Sequence, residues 1–546
     1  AQCIANWTGL QTEGRHNFAP FLTDDDWPNY EFVLQSPWLA DDDTDIEFIY
    51  LDGLATRNKL RLTPEEIQSD WFDHTSPNVF IWVSNLAAQT MMRATPAVLP
   101  PSTSLLSSND QSLMIDAQLT TEIFGALTPG MPSLGLDIAD LPIRTTASGY
   151  SAHAAQFHVA LYSLAAIVDP ADSRREQILW MVRAARQLIP DGSKTADVID
   201  VVLADYLSNP DVTDWERTRD LVAERFQSSD EANGYRYLEW YESSVNLAGG
   251  LIALLYGEGD FRQTVQIGTL SGWDSDNGTA TMGGLLGLML GTQAIRDAFP
   301  GRSLSTSYDI TRTRTGFPRA IWTFEELADR MMTLAGLAAT EAGGGVESNG
   351  DLSVPELTDA ALQARDANPL NVLHASSVNN QTRVRLDVAN AERFTDIESS
   401  DFEVIADGLE TDYSGRDRRI NVRNILQFPF IPAEGLCTAM TSIPEATPTV
   451  TITWSTLYRL EGIRLIEGPK DANGGSFDAV EVQARVGNTW RPMTLTRPYS
   501  PSSTRAFEIH ELRFDTPVEA NGLRLSGQLS AGRYATVCEI DGIIAP

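Results

Sequence analysis

Lysine is almost absent from this chain: Lys59, Lys194 and Lys470 are its only lysines, arginine supplies the rest of the 40 basic residues, and 74 Asp and Glu outnumber them. The formal net charge of -34 repels nucleic acid and anionic membranes at long range and excludes both as main partners. The shortage of lysine itself reads as a compositional bias without mechanistic content. Cysteine is scarce too, and Cys3, Cys437 and Cys538 form no C-x-x-C pair, which argues against a thiolate zinc site. Cys3 sits in an apolar, helical start and reads as core. Cys437 and Cys538 fall in a β-rich region, where they either bridge, implying an oxidising compartment, or stay as two buried thiols. No apolar run approaches the roughly 18 residues of a membrane span. There is no G-x-S-x-G, H-E-x-x-H, Walker loop or dinucleotide fingerprint. No signal or transit peptide is visible in this numbering, and the sequence opens on Ala1-Gln2-Cys3-Ile4 as though a helix were entered partway.

What is present is a long chain, 546 residues with 42% hydrophobic content, enough for two to four domains. Helical periodicity dominates the first part. Segments follow at 46–54, 67–72, 113–127, 152–168, 174–188, 196–207, 214–226, 245–256, 261–270, 279–298 and 324–341. Thr63, Pro64 and Glu66 read as N-cap, first helical residue and capping-box partner. Asp24-Asp25-Asp26 precedes Trp27-Pro28 and reads as a solvated turn. Glycines gather from 341 to 350, and beyond about 370 the period switches to alternation, with strands expected at 382–388, 449–454, 462–466, 479–485 and 522–526. The fold class is therefore multidomain. An all-α domain over 1–345 is followed by a linker over 346–372 and an all-β antiparallel sandwich over 373–546.

Two acidic knots stand out. Asp41-Asp42-Asp43-Thr44-Asp45 runs straight into an apolar helical segment, and Gly272-Trp273-Asp274-Ser275-Asp276-Asn277-Gly278 does the same further on. Adjacent carboxylates repel and are costly to bury without a cation. A donor set of Asp, Asn and Thr, without Cys or His, suits Mg, Mn or Ca. In D-x-D-N, Asp274, Asp276 and Asn277 converge while Ser275 looks aside, and the flanking glycines permit a tight backbone. Either knot alone has a plain explanation in the attraction of helix N-termini for Asp; their pairing is what suggests metal. Trp82, Ser84, Asn85 and Gln89 either line a pocket or form a packed helix face. Glu239, Tyr241 and Glu242 are candidates to flank the site. His153 and His158 lack metal-pair spacing and read as core or surface residues. No arginine cluster flanks either knot.

The stretch Leu255-Tyr256-Gly257-Glu258-Gly259-Asp260-Phe261, with Thr264, Ile267 and Gly272 to Thr279, resembles the C-terminal signature of the ADP-ribosylglycohydrolase family, which reads G-G-D-T-D-T there. Asp41 to Thr44 resembles its T-D-D-T, and the likeness spans about residues 1 to 340 in consistent order, including Leu62 to Trp71 and Asn246. The resemblance implies an all-helical fold with two divalent ions, Mg first and Ca or Mn as alternatives, gripping vicinal sugar hydroxyls. It implies Asp41, Asp42, Asp43, Asp274, Asp276 and Asn277 as metal ligands, with Glu13 contacting metal or the reacting water. Glu13 and Asp43 are the catalytic candidates. The chain departs from the pattern at Asp41, Trp273 and Asn277, and Ala147-Ser148-Gly149 stands where relatives carry His-Asp-Gly. Trp273, Asn85 and Trp82 are the candidates for substrate contact.

The stretch from Phe477 to Pro492, then Gly522 to Leu525 and Tyr534 to Asp541, is similar to discoidin-type modules, which often bind glycans; packing against the helical domain is the alternative. These resemblances together imply a secreted, metal-dependent glycoside hydrolase acting on a furanose-like or ribosyl bond of an extracellular carbohydrate or glycoconjugate. The alternatives are an ADP-ribosyl hydrolase and a catalytically silent glycan-binding protein with a structural metal.

Overall fold

The computed structural model describes residues 1–75, 80–94, 97–104, 109, 111–190, 193–230, 233, 235, 237–362, 372–373, 383–387, 438–441, 449–467, 474–487, 489–502, 508–530 and 534–544. The chain divides into two compact units, one made of Ala1–Gln89 with Gln111–Ala364, the other of Thr90–Asp110 with Arg365–Pro546.

The first unit is helical. Its chain order is α1 (Gln2–Gly9), α2 (Asp42–Arg57), α3 (Pro64–His74), α4 (Val83–Met92), α5 (Asp116–Thr120), α6 (Ile123–Ala126), α7 (Pro132–Thr146) and α8 (Gly149–Leu164). It continues with α9 (Arg174–Gln187), α10 (Lys194–Ser208), α11 (Trp215–Ala223), α12 (Ser243–Gly257), α13 (Phe261–Leu270), α14 (Ser275–Asp297) and α15 (Phe324–Glu341). Every residue of α8 and α12 is buried. Both are built from small and apolar residues on all faces, which is the composition of a helix surrounded by others. Around them, α1 and α14 pack together at the acidic knots. A Cβ on Gly9 would lie 2.5 Å from the Asp276 Cα and 2.7 Å from the Ser275 carbonyl oxygen. Glycine there is a demand of packing, since the obstacle is backbone.

A small sheet joins the two ends of this unit. Strand β1 (Trp38–Leu39) pairs in parallel with β2 (Ser307–Asp309), Trp38 opposite Tyr308, and β2 pairs antiparallel with β3 (Ile321–Thr323). Thr63 caps α3 as expected: its side chain accepts from the Glu66 N–H at 3.3 Å, and the Thr63 N–H donates to Glu66 Oε2 at 2.7 Å. The aspartates at 24–26 open a two-turn 3₁₀ segment (Asp24–Asn29) at the surface.

Three departures have physical reasons. The helix expected over 113–127 is two short ones, α5 and α6, because Thr120 and Thr121 return their hydroxyls to the carbonyls of Asp116 and Ala117 and loosen the helix there. Helix α7 was not expected, since Pro142 lies inside it; burial of Ile138, Ala139 and Ile143 outweighs the lost hydrogen bond. Residues given to a linker from 346 instead begin with structure: β4 (Gly345–Val346) pairs with β5 (Leu352–Ser353), and Ser133 donates to the Ala361 carbonyl at 2.8 Å. The glycines at 343–345 form the start of a hairpin on the helical unit.

The second unit is a nine-stranded sheet. Its strands are β6 (Val372–Leu373), β7 (Arg383–Asp387), β8 (Thr438–Thr441), β9 (Thr449–Glu467), β10 (Gly474–Gly475), β11 (Ala479–Val486), β12 (Thr489–Pro492), β13 (Ile509–Gln528) and β14 (Tyr534–Ile544). The main path is β10-β14-β9-β13-β11-β12, antiparallel apart from the two-residue β10–β14 pairing. The strands expected separately at 449–454 and 462–466 are one strand, β9. Register shifts between Arg513 and Val518 and between Ala520 and Gly522 bend its partner β13. Leu460, Ile463, Leu465, Phe477, Leu523 and Leu525 are buried inside. Cys437 lies outside the described residues, and with it any bridge to Cys538. Among the described residues no helix is long and apolar enough to cross a membrane.

Overpacking at the α1–α14 crossing costs about 1–3 kcal/mol, so Gly9→Ala is expected to lower the urea midpoint and to weaken divalent-metal binding together. Thr63→Ala, losing a cap worth about 1 kcal/mol, is expected to lower the midpoint alone. Denaturation and calorimetric metal titration of both variants check this.

Candidate metal centre

The two knots meet. Asp41 is the N-cap of α2, with extended backbone (φ -136°, ψ 170°), so Asp42 and Asp43 begin the helix beside it. Asp274 caps α14, with Asp276 and Asn277 in its first turn. The Asn277 Nδ2 donates to Asp43 Oδ1 at 3.2 Å across 234 residues of chain, and Asn6 on α1 donates to Asp43 Oδ2 at 3.1 Å. Glu13, Asp274 and Asp276 each bring one carboxylate oxygen within 4.8 Å of the others. Ser275 faces away, as its place in the motif suggested: its hydroxyl donates to the Gly9 carbonyl at 3.0 Å and lies 2.8 Å from the Thr12 hydroxyl.

Glu13 is carried to the aspartates by the turn before α14. Gly272 and Trp273 both have positive φ, 92° and 54°. This turn presents the Trp273 carbonyl to the Gly14 N–H at 2.9 Å, while the Trp273 N–H donates to the His16 carbonyl at 3.2 Å. The left-handed conformation costs a tryptophan roughly 1–2 kcal/mol, offset by these bonds and by burial of its ring against Phe21, centroids 5.0 Å apart. The Trp273 ring is fully buried and offers no face to a sugar, which corrects its expected role in substrate contact. Its part is to hold the Glu13 loop.

The other substrate candidates separate in the same way. Asn85 is 2% exposed and its N–H donates to Asp116 Oδ1 at 3.2 Å, so it belongs to the interior; Trp82 is 55% exposed. Ser84 bonds to Asp116 and Gln89 to Thr75, both as packing. Glu242 is wholly buried, ion-paired to Lys194 and accepting from Tyr150 at 3.1 Å, and serves the structure. His153 and His158 are buried, and burial pushes each imidazole down to about 4, which keeps both neutral.

Burial is the main force on the acids. It raises the carboxyl of Glu13, with Asp41 adding to it, and raises Asp42, Asp43, Asp274 and Asp276 well above the usual carboxylate range, each reinforced by its acidic neighbours. Asp45 is pushed up to about 7 although Arg314 stands 3.0 Å away. Several buried oxygens lack a hydrogen-bond partner: Asp41 Oδ2, Asp276 Oδ1, Asn277 Oδ1 and Asn6 Oδ1. Orphaned buried oxygens among closely placed carboxylates fit a hard divalent cation.

Sequence reading missed the partners of this cluster. Arg312 donates to Asp41 Oδ1 at 2.6 Å and to the Ala40 carbonyl at 2.7 Å, its guanidinium lying over the rings of Trp7 and Phe80 at 4.9 and 4.8 Å. Arg314 is buried against Asp45. The absence of arginine beside the knots in sequence therefore does not hold in space: β1 and β2 run in parallel and deliver Asp41 and Arg312 from the same end. The sequence alone gives Asn246 only as part of the family likeness. Its Oδ1 accepts from the Asp274 N–H at 2.9 Å while its Nδ2 bonds to the Trp240 and Glu242 carbonyls. The half-buried Trp240 packs over Gly14, next to Glu13.

A model of one family, ADP-ribosylglycohydrolase, matches residues 1–338 of the 546. The chain belongs to the ADP-ribosylglycohydrolase family. The family assigns it to the hydrolases of ribosyl and other glycosidic bonds, a class that typically depends on divalent metal. A search of curated proteins finds no match. Among solved structures, the C-terminal β region is similar to the Clostridium perfringens module CpGH89CBM32-5 in complex with GalNAc-beta-1,3-galactose, at 15% identity, 19% of this chain, 73% of that chain and a TM-score of 0.17. It is similar also to CpGH89CBM32-6 of the same organism, at 10% identity, 31% of this chain, 99% of that chain and a TM-score of 0.18.

Because the carboxyls are raised, protons compete with metal. The sign follows: between their ordinary range and their raised values the folded state holds protons that a cation must displace, so metal stabilises less at low pH. The stabilisation on adding Mg, read as a rise in melting temperature, is expected to widen from pH 5 to pH 8, with a free energy of about 3 kcal/mol at a hundredfold excess over Kd. Arg312→Ala leaves Asp41 uncompensated and is expected to destabilise the metal-free protein by about 1–3 kcal/mol, with partial rescue by metal; Arg314→Ala costs more, about 3–5 kcal/mol, without rescue. Thermal melts of the variants with and without metal read both.

Proposed function

We propose that this member of the ADP-ribosylglycohydrolase family is a metal-dependent glycoside hydrolase acting on a furanose-like or ribosyl bond of a carbohydrate or glycoconjugate outside the cell. The observation that carries the reading is the meeting of Glu13, Asp274 and Asp276 within 4.8 Å, with Asp43 tied to Asn277 beside them. Asp41, Asp42, Asp43, Asp274, Asp276 and Asn277 would hold the metal, two ions in this reading, Mg first and Ca or Mn as alternatives. When bound, divalent ions supply Lewis acidity to vicinal sugar hydroxyls and support for the charge developing at the anomeric centre.

The residues divide the remaining work. Asp43 has both oxygens engaged by the amides of Asn6 and Asn277, which fixes its carboxylate and suits it to holding metal. Glu13 is only half-buried, and burial with the nearby Asp41 charge raises its proton affinity. A base must reach water, and Asp43 is buried and held by two amides whereas Glu13 is half-buried, so of the two catalytic candidates Glu13 is the one we assign to orienting the water and taking its proton. Asn246 fixes the Asp274 backbone, and Arg312 offsets the Asp41 charge, so that the added aspartate at this position does not add a full negative charge to the site. Trp82 and Trp240 are the rings available to a sugar.

Family membership favours a second reading, hydrolysis of ADP-ribose conjugates. Turnover of furanoside and ADP-ribosyl substrates across a metal titration separates the two. Asp276→Asn is expected to lose metal binding and at least a hundredfold in kcat/KM, about 2.7 kcal/mol of transition-state support. Glu13→Gln is expected to keep metal binding and lose kcat. Metal binding with no turnover on either class would leave a glycan-binding protein with a structural ion, and absence of metal binding would sink the proposal.

A further inference from the structure

We propose that the helical unit carries a second small-molecule site, separate from the acidic cluster, for an anionic ring compound: a ring laid against aromatic side chains with a phosphate or carboxylate held by two arginines. The site is a cavity of about 690 Å³ between the segment after the Asp24–Asn29 turn and the outer ends of α13 and α14. Its size falls in the range of ligand pockets, roughly 300–1,000 Å³. Trp27, Phe32 and Phe299 form its aromatic wall, with Phe32 edge-on to Trp27 at 5.1 Å and to Phe299 at 5.3 Å.

The charge of the lining sets it apart. In a chain of net charge -34, Arg262 and Arg302 face one carboxylate, Glu31, around this cavity. The Arg262 guanidinium lies 4.3 Å from the Phe32 centroid and 5.1 Å from that of Phe299, and its Nη1 donates to the Ala298 carbonyl at 3.2 Å. It is fixed in place before a ligand arrives, which reduces the entropy lost on binding. Arg302 is exposed and, among the described residues, its side chain has no hydrogen bond or ion pair. Two guanidiniums against an aromatic wall recognise an anion by charge-assisted bonds and a ring by stacking.

The cavity is distinct from the candidate metal centre. Arg262 is the second residue of α13, whose other end leads into Gly272 and Asp274; a ten-residue helix spans roughly 15 Å. Phe299 follows the far end of α14, whose first turn holds Asp276.

Calorimetry on the full chain tests the site, with a chelator present so that the acidic cluster takes no part. The probes are adenosine monophosphate, adenosine, inorganic phosphate and glucuronate. The monophosphate is expected to bind at least about tenfold more tightly than adenosine or phosphate, and Arg302→Ala to weaken it about tenfold, with an unchanged melting temperature. Glucuronate binding as tightly as the monophosphate would support the same site with an acidic sugar as its source. No binding of either compound, binding of the monophosphate no tighter than phosphate or adenosine alone, or binding indifferent to Arg302→Ala would overturn it.

Discussion

Mutual repulsion among buried carboxylates is the constraint on which the helical unit turns. Glu13, Asp42, Asp43, Asp274 and Asp276 have their proton affinity raised by burial and by their acidic neighbours, Asp41 among those neighbours. Such a cluster stands only if something outside it forces the groups together. Here the force is the packing of α1 on α14, glycine against backbone, and the small β1–β2 sheet that brings the far end of the unit back to its beginning. Neutralisation is divided: Arg312 and Arg314 pair with Asp41 and Asp45, while Asp41 Oδ2, Asp276 Oδ1 and Asn277 Oδ1 keep no hydrogen-bond partner. That asymmetry gives the cluster its chemistry.

Much of this was legible beforehand, for reasons that differ by element. The knots were readable because adjacent acids before an apolar helix conflict with ordinary burial, and the capping box at Thr63 because its chemistry is local. The switch from helical to alternating period marked the change of architecture near 370. What could not be read depended on partners far away in sequence. Arg312 and Arg314 look like surface residues in Thr311-Arg312-Thr313-Arg314 until β2 sets them beside α2. Trp273 looked like a sugar platform because of its place in the motif, but its left-handed backbone turns the ring inwards against Phe21. Helix α7 was hidden by Pro142, whose cost only tertiary packing repays.

Two aromatic–arginine settings on the same unit show how context decides use. At Arg312 the guanidinium lies over the rings of Trp7 and Phe80 and is engaged by an aspartate, so it stabilises. At Arg262 the same stacking leaves the charge facing a cavity. The Lys194–Glu242 pair is a third case, buried between Tyr150 and Tyr235 and closed to ligands.

The long reach of the contacts at the first knot bears on the order in which the molecule is made. Asp43 finds Asn277 234 residues later, Asp45 finds Arg314 269 residues later, and Asp41 finds Arg312 271 residues later. A chain growing from its N-terminus holds Asp41 to Asp45 in water until nearly the whole helical unit has been synthesised. Helix α2 therefore cannot settle early into its final burial. Closure of the acidic cluster waits for residues beyond α14, and a nascent chain cut short before Arg312 contains the residues of every helix through α14 but not the charges that pair with the first of the acids.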